Sequence, residues 1–211
     1  MSYFNIKICG LTRPLDAKLA AELGANMIGM IFYNKSPRYV NLKQASAIVK
    51  IVPPTVNKVG VFVDTELNKI LNTAHRLNLD FIQFQGAYNS SDVLKAKRLG
   101  FKTIQAFHIR NKKDYNIVYK SNADMVLLDN KTTTLPGGTG RIFNWGIKPP
   151  RKIKNLILAG GINSNNVKNC IKIFSPLVID VSSSVENTPG IKSAKKLKEL
   201  FEVCNELRYG K

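Results

Sequence analysis

Cysteine is scarce and scattered. Cys9, Cys170 and Cys204 are odd in number and far apart in a chain of 211 residues. That argues against a disulfide scaffold and for a reducing, cytoplasmic setting. No CxxC pair exists and there are only two histidines, His75 and His108, so no structural metal is expected. No run of eighteen apolar residues is present, so no membrane-spanning helix and no membrane partner are expected. The start, MSYFNIKICG, lacks the long apolar run and small-residue cleavage site of a signal peptide. Acidic residues are few, 14 against 32 basic ones, for a net charge of +18. Such a surplus reads either as attraction of anions or as a lysine-rich solvated surface. The lysines are spread along the chain and form no zinc-finger, helix-turn-helix or aromatic RNP pattern. Weak, salt-sensitive adhesion to nucleic acid is expected, and no specific nucleic-acid partner.

What is present is alternation. Apolar runs predict strands at Phe4–Ile8, Met27–Phe32, Val56–Phe62, Phe81–Phe84, Lys102–Phe107, Met125–Leu128, Leu156–Ala159 and Val178–Val181. Their starts lie 21 to 31 residues apart, about the length of a strand, a helix and two loops. Amphipathic segments fill the gaps. Leu15, Leu19 and Leu23 recur at helical spacing in the first, and Leu67, Ile70, Leu71, Ala74 and Leu77 in the third. Val93, Leu94, Ala96 and Leu99 suit the fourth, and Leu197, Leu200, Phe201 and Cys204 the last. The second follows Asn41, a good N-cap, and runs over Leu42–Val52 to the stop at Pro53-Pro54. Runs such as MIGMIF and LILA are apolar throughout, which suits parallel strands covered on both faces. Neither GxGxxG after the first strand nor GxxxxGK[ST] is present, which counts against a dinucleotide fold and a P-loop. The pattern predicts an α/β fold, a (β/α)8 TIM barrel forming one domain over 1–211, with an open doubly wound sheet as the alternative.

In such a barrel chemistry sits where strands end. The strand ends here offer Cys9, Ser36-Pro37-Arg38, Asp64, Gln83 with Gln85, His108, Asp129, Gly160-Gly161, and Asp180 with Ser182, Ser183 and Ser184. Cys9 reads as a small buried hydrophobe or as a reactive thiol. Lys7, two residues earlier on the same side of the strand, would favour its thiolate. Asp129 reads as a turn residue or as a proton donor behind four apolar residues. Arg38 reads as a surface charge or as a bidentate carboxylate ligand. The glycine-rich Leu135–Arg141 reads as a loop over the mouth or an ordinary turn. Gly160-Gly161 and the serines after strand eight occupy the two neighbouring loops that bind phosphate in this architecture. His75 needs no role beyond its helix, and His108 is a substrate contact or a structural residue.

Several segments together resemble one family. They are KICGLTRPLDA at Lys7–Ala17, KSPRYV at Lys35–Val40, VGVFV at Val59–Val63 and LLDN at Leu127–Asn130. GGTG at Gly137–Gly140, FNW at Phe143–Trp145, LAGGI at Leu158–Ile162, DVSSSVE at Asp180–Glu186 and PGIK at Pro189–Lys192 complete the set. In this order they are similar to the phosphoribosylanthranilate isomerase family of tryptophan biosynthesis. The resemblance implies a (β/α)8 barrel that needs no cofactor. It also implies an Amadori rearrangement of N-(5-phospho-β-D-ribosyl)anthranilate to 1-(2-carboxyphenylamino)-1-deoxy-D-ribulose 5-phosphate. By the same resemblance Cys9 is the general base, Asp129 the general acid and Arg38 the ligand of the anthranilate carboxylate. The AGG and DVSS segments match the phosphate loops. Expected substrate contacts are Lys7, Arg38, Gln83, Gln85, Gly160, Gly161, Asp180, Ser182, Ser183 and Ser184.

Two positions depart from the family pattern. IQFQG stands where VQLHG is usual, so Gln85 replaces a histidine and cannot carry a proton at neutral pH. DVSSSVE stands where DVSSGVE is usual, so Ser184 replaces a glycine. A positive φ there would cost serine about 1 kcal/mol, whereas a negative φ would leave the amide able to face phosphate. The competing readings are another phosphosugar isomerase or lyase on the same barrel and a basic nucleic-acid-binding protein. The expected partner is a phosphorylated small molecule, with the chain a monomer or a homodimer.

Overall fold

The computed structural model describes residues 3–129 and 147–210. The segment Leu135–Arg141, with the GGTG and FNW motifs, lies outside the described residues. Eight parallel strands close into a barrel, which overturns the doubly wound alternative. They are β1 (Asn5–Cys9), β2 (Met27–Ile31), β3 (Asn57–Val63), β4 (Phe81–Gln85), β5 (Lys102–His108), β6 (Met125–Asp129), β7 (Leu156–Leu158) and β8 (Val178–Val181). Their ends fall within one residue of the apolar runs that predict them. Lys7 pairs in register with Met27 on one side and Asp180 on the other, which closes β1 between β2 and β8.

Helices α1 (Pro14–Glu22), α2 (Leu42–Ile51), α3 (Leu67–Arg76), α4 (Ser90–Arg98), α5 (Tyr115–Val118), α6 (Val167–Phe174) and α7 (Ala194–Tyr209) follow strands in chain order. α2 starts as its sequence predicts: Asn41 and Gln44 form a reciprocal capping box. The face of α1 differs from the expected leucine stripe. Leu15 is 74% exposed, while Ala17, Ala20 and Asp16 are buried. Small alanines bring that helix close to its neighbours. Asp16 is held by Arg13 and by the Lys192 backbone N–H, so a charge occupies the inner face. Likewise α4 buries Val93 and Ala96 and leaves Leu94 and Leu99 exposed.

Two apolar layers result. One fills the barrel interior with Met27, Val59, Val61, Phe81, Ile104, Leu127, Ile157 and Val178. The other lies between sheet and helices and contains the opposite faces of the same strands, Ile6, Ile8, Ile28, Ile82, Leu128 and Ile179. Period-two alternation therefore aims Cys9 inward and Ile8 outward. After β8 the chain makes a 3-10 turn at Ser183–Val185 and then an antiparallel hairpin of β9 (Glu186–Thr188) and β10 (Ile191–Lys192). The sequence reading contains no counterpart of that hairpin. Among the described residues, no helix is long and apolar enough to cross a membrane.

Candidate active site

A cavity of about 410 Å³ opens among the strand ends. β1, β4, β6 and β8 send Cys9, Gln83, Gln85, Asp129 and Asp180 to its wall, and Ser182 joins them just past the end of β8. Arg38 reaches it from the loop after β2, Gly160 and Gly161 from the loop after β7, and Ser183 and Ser184 from the turn after β8. Ile31, Val61, Val63, Leu127 and Ala159 supply apolar surface. Residues 120 positions apart in the chain, Cys9 and Asp129, thus face one space.

Lys7 is not on that wall. Its side chain has no exposure, and its ammonium donates at 2.9 Å to Oδ2 of Asp180, which itself lines the cavity. A lysine two residues before the last residue of β1 points inward at the next layer down, which buries it instead of presenting it to a ligand. Burial opposes charge on both partners, and it pushes the Asp180 carboxyl up although Lys7 pulls it down. For Lys7 the nearby Asp180 and Cys9 outweigh burial, and its proton is held more tightly than usual. The 2.9 Å contact decides the state of the pair as ammonium and carboxylate.

Lys7 also bears on Cys9, but less than the sequence implies. Burial is the largest influence and pushes the thiol up; Lys7 and Lys192 pull it down, and Asp180 adds to the rise. The balance is upward, so the group at rest is a thiol and not the expected thiolate. Gly29, opposite Cys9 on β2, leaves the sulfur its space: a Cβ there would lie 2.7 Å from Sγ. Nothing in the run MIGMI marks that glycine as special.

Arg38 is no surface charge, because only 14% of its side chain is exposed. Its Nε and Nη2 donate to Glu186 Oε1 and Oε2 at 2.8 and 2.6 Å. A guanidinium carries five N–H groups, so three remain for a ligand. Gly10 makes room for this arginine. It has φ +72°, and a Cβ there would lie 2.5 Å from Arg38 Cδ.

Polar atoms on the floor are incompletely matched. Gln83 Nε2 donates to Gln85 Oε1 at 3.5 Å, while Gln83 Oε1 and Asp180 Oδ1 are buried with no protein partner. Such atoms fit a ligand that donates hydroxyl hydrogen bonds. His108 lies beside Gln85 at 3.4 Å, and its Nδ1 approaches the Asp129 carbonyl at 3.1 Å. His108 is not on the cavity wall, nor is Asp64. Asp64 accepts from the Ala87 N–H at 2.9 Å and so ties the loop after β3 to the loop after β4.

The loops after β7 and β8 are joined. Ser184 Oγ donates to the Ile162 carbonyl, a bond a glycine cannot make. Ser184 is not among the non-glycine residues with positive φ, so its replacement of glycine carries no left-handed strain. Glu186 and Lys192 are site-shaping residues to which sequence reasoning assigned no role. Their position inside DVSSSVE and PGIK is one signal, and Pro189-Gly190 between the two strands, with Gly190 at φ +84°, is the turn pair that could have announced the hairpin that buries them. Among the described residues, no group of three or more metal-ligating side chains converges.

A thiol and a carboxyl facing one cavity can move protons on a bound molecule, with an arginine and two amide-rich loops to hold anionic ends. Comparisons with known proteins point the same way. The family model described as N-(5'phosphoribosyl)anthranilate (PRA) isomerase matches residues 6–203. An N-(5'-phosphoribosyl)anthranilate isomerase from Pseudomonas putida (strain GB-1) is 42% identical over 211 residues, covering 98% of this chain and all of the relative. The crystal structure of phosphoribosyl anthranilate isomerase from Thermotoga maritima is similar with a TM-score of 0.89 at 33% identity, covering 96% of this chain and 98% of that one. A phosphoribosyl anthranilate isomerase crystallised with reduced 1-(o-carboxyphenylamino)-1-deoxyribulose 5-phosphate has a TM-score of 0.86 at 32% identity, with the same coverage. The chain belongs to the N-(5'-phosphoribosyl)anthranilate isomerase family.

Proposed function

We propose that this protein converts N-(5-phospho-β-D-ribosyl)anthranilate to 1-(2-carboxyphenylamino)-1-deoxy-D-ribulose 5-phosphate by an Amadori rearrangement. The observation that carries the reading is the pairing of Cys9 and Asp129 on one cavity wall, between Arg38 and the loops of Gly160-Gly161 and Ser182–Ser184. A molecule with a carboxylate at one end and a phosphate at the other suits that layout.

Asp129 donates a proton to the furanose ring oxygen. The C1–O bond breaks and the amine lone pair forms an iminium ion. That cation acidifies the proton on C2, which the Cys9 thiolate removes. The resulting enolamine tautomerises by gaining a proton at C1 and losing one from the C2 hydroxyl. Cys9 must first lose its own proton. The ammonium groups of Lys7 and Lys192 favour that loss, and burial opposes it. Asp180 Oδ1 and Gln83 Oε1 are acceptors suited to the sugar hydroxyls. Arg38 holds the anthranilate carboxylate with its remaining N–H groups. Gly160, Gly161 and the serines after β8 hold the phosphate, with Gln85 beside the sugar. General acid and general base catalysis each supply about 10²–10⁴-fold. Pinning both ends of the substrate supplies orientation.

The test is turnover by the purified protein of freshly generated phosphoribosylanthranilate, followed as loss of anthranilate-type fluorescence. A steady decay dependent on the protein is expected. No decay above the uncatalysed rate at micromolar enzyme would overturn the assignment.

A further inference from the structure

Three candidates stand outside the chemistry already described. A second cleft of about 780 Å³ between α2 and α3 contains the stacked rings of Phe32 and Phe62, but nothing indicates what would fill it. The chain from Gln83 through Gln85 to His108 rests on contacts of 3.4–3.5 Å. The third candidate is a buried ionic cluster at the edge of the cavity, with short contacts throughout.

Its centre is Glu186, the first residue of β9, whose side chain is 4% exposed. Its two oxygens accept from Arg38 at 2.8 and 2.6 Å, and Oε1 also accepts from Lys192 Nζ at 2.9 Å. Lys192 has a side chain with no exposure. Its ammonium also donates to the Cys9 carbonyl at 2.7 Å and the Ser182 carbonyl at 3.1 Å. Three donors therefore meet three acceptors, and none is left for a ligand. The hairpin is itself pinned: the Lys192 backbone N–H donates to Asp16, and Lys196 Nζ to the Glu186 carbonyl at 2.7 Å.

We infer that Glu186 and Lys192 are positioning residues, Glu186 orienting Arg38 as a carboxylate clamp and Lys192 fixing the ends of β1 and β8 that carry Cys9 and Ser182. The inference rests on the isomerase reading and assigns both residues a part in it. One arginine, one lysine and one glutamate leave a net positive charge at the cavity edge, which suits an anionic substituent. Without Glu186 the Arg38 side chain has no partner to select one of its rotamers. Its free N–H groups then meet a carboxylate only after paying for that order. Burial alone would raise the Glu186 carboxyl, but Arg38 and Lys192 hold it below the usual range, as an ionised clamp partner must be.

The experiment compares two substrates, phosphoribosylanthranilate and phosphoribosylaniline, which lacks the carboxylate. Wild type should favour the first in KM by about 10- to 100-fold, the range of a charge-assisted bond. Glu186→Gln should raise KM for the anthranilate compound, leave that for the aniline compound nearly unchanged, and so erase most of the preference. Lys192→Met should instead lower kcat on both substrates and retain the preference. If Glu186→Gln does not fold, as judged by thermal unfolding, Glu186→Asp is read by the same criterion, since it keeps the charge and shortens the reach. A Glu186 variant that raises both KM values alike, or neither, would overturn the inference. A wild-type protein that turns over neither compound would instead overturn the isomerase reading beneath it.

Discussion

The Lys7 ammonium meets Asp180 Oδ2 at 2.9 Å inside the barrel, with the two side chains 0% and 8% exposed. The pair ties β1 to β8 one layer beneath Cys9, at the register position where their Cα atoms face each other. Asp180→Asn would leave the Lys7 charge buried and unmatched. It should lower the unfolding free energy by about 3–5 kcal/mol, measured by urea denaturation. A change below 1 kcal/mol would show that the pair contributes little to the fold.

On the proposed mechanism Cys9 must be a thiolate and Asp129 a carboxylic acid at the same moment, so kcat/KM reports the two groups jointly. The thiolate fraction alone is read by the rate of Cys9 alkylation with iodoacetamide, located by mass spectrometry. Burial and Asp180 push the Cys9 thiol up, Lys7 and Lys192 pull it down, and the balance is upward. The alkylation rate should therefore climb with unit slope toward alkaline pH and continue past the ordinary thiol value of about 8.5. A rate that is flat from neutral pH upward would contradict this ordering.

Gly29→Ala would place a methyl group 2.7 Å from Cys9 Sγ. Overpacking of this kind costs about 1–3 kcal/mol, and here it also displaces the sulfur of the proposed base. The variant should unfold at lower temperature and lose kcat more than it gains in KM. Full activity would mean that the sulfur position is not critical.

Ser184→Gly removes the bond to the Ile162 carbonyl that joins the loops after β7 and β8, the proposed phosphate site. A hydrogen bond of this type contributes about 0.5–1.5 kcal/mol, so KM should rise roughly 2- to 10-fold, with kcat less affected. Steady-state kinetics with varied phosphoribosylanthranilate would show it. An unchanged KM would mean that the loops hold their geometry without this bond.

The barrel was legible because each strand is a short apolar run, and β1 to β8 each end within a residue of where that run predicts. Cys9 and Asp129 were legible as polar residues closing such runs. What escaped depends on packing between distant segments. Leu15 carries the helical period of α1, yet the helix packs through Ala17 and Ala20. Lys7 reads as a ligand contact because strand alternation shows its side and not its depth. Glu186 and Lys192 look like ordinary surface charges in a chain with 32 basic residues. Their burial follows from a hairpin that brings Lys192 against Cys9, 183 residues away. The thiol state of Cys9 escaped for the same reason, since the sequence shows a nearby lysine but not the burial that outweighs it.

The most direct test of the assigned acid and base is single-turnover conversion by Cys9→Ala and Asp129→Asn, each checked by circular dichroism for a retained fold. Both variants should bind phosphoribosylanthranilate and convert it at least about 10²-fold more slowly than wild type. Folded variants that both convert it at the wild-type rate would contradict the account.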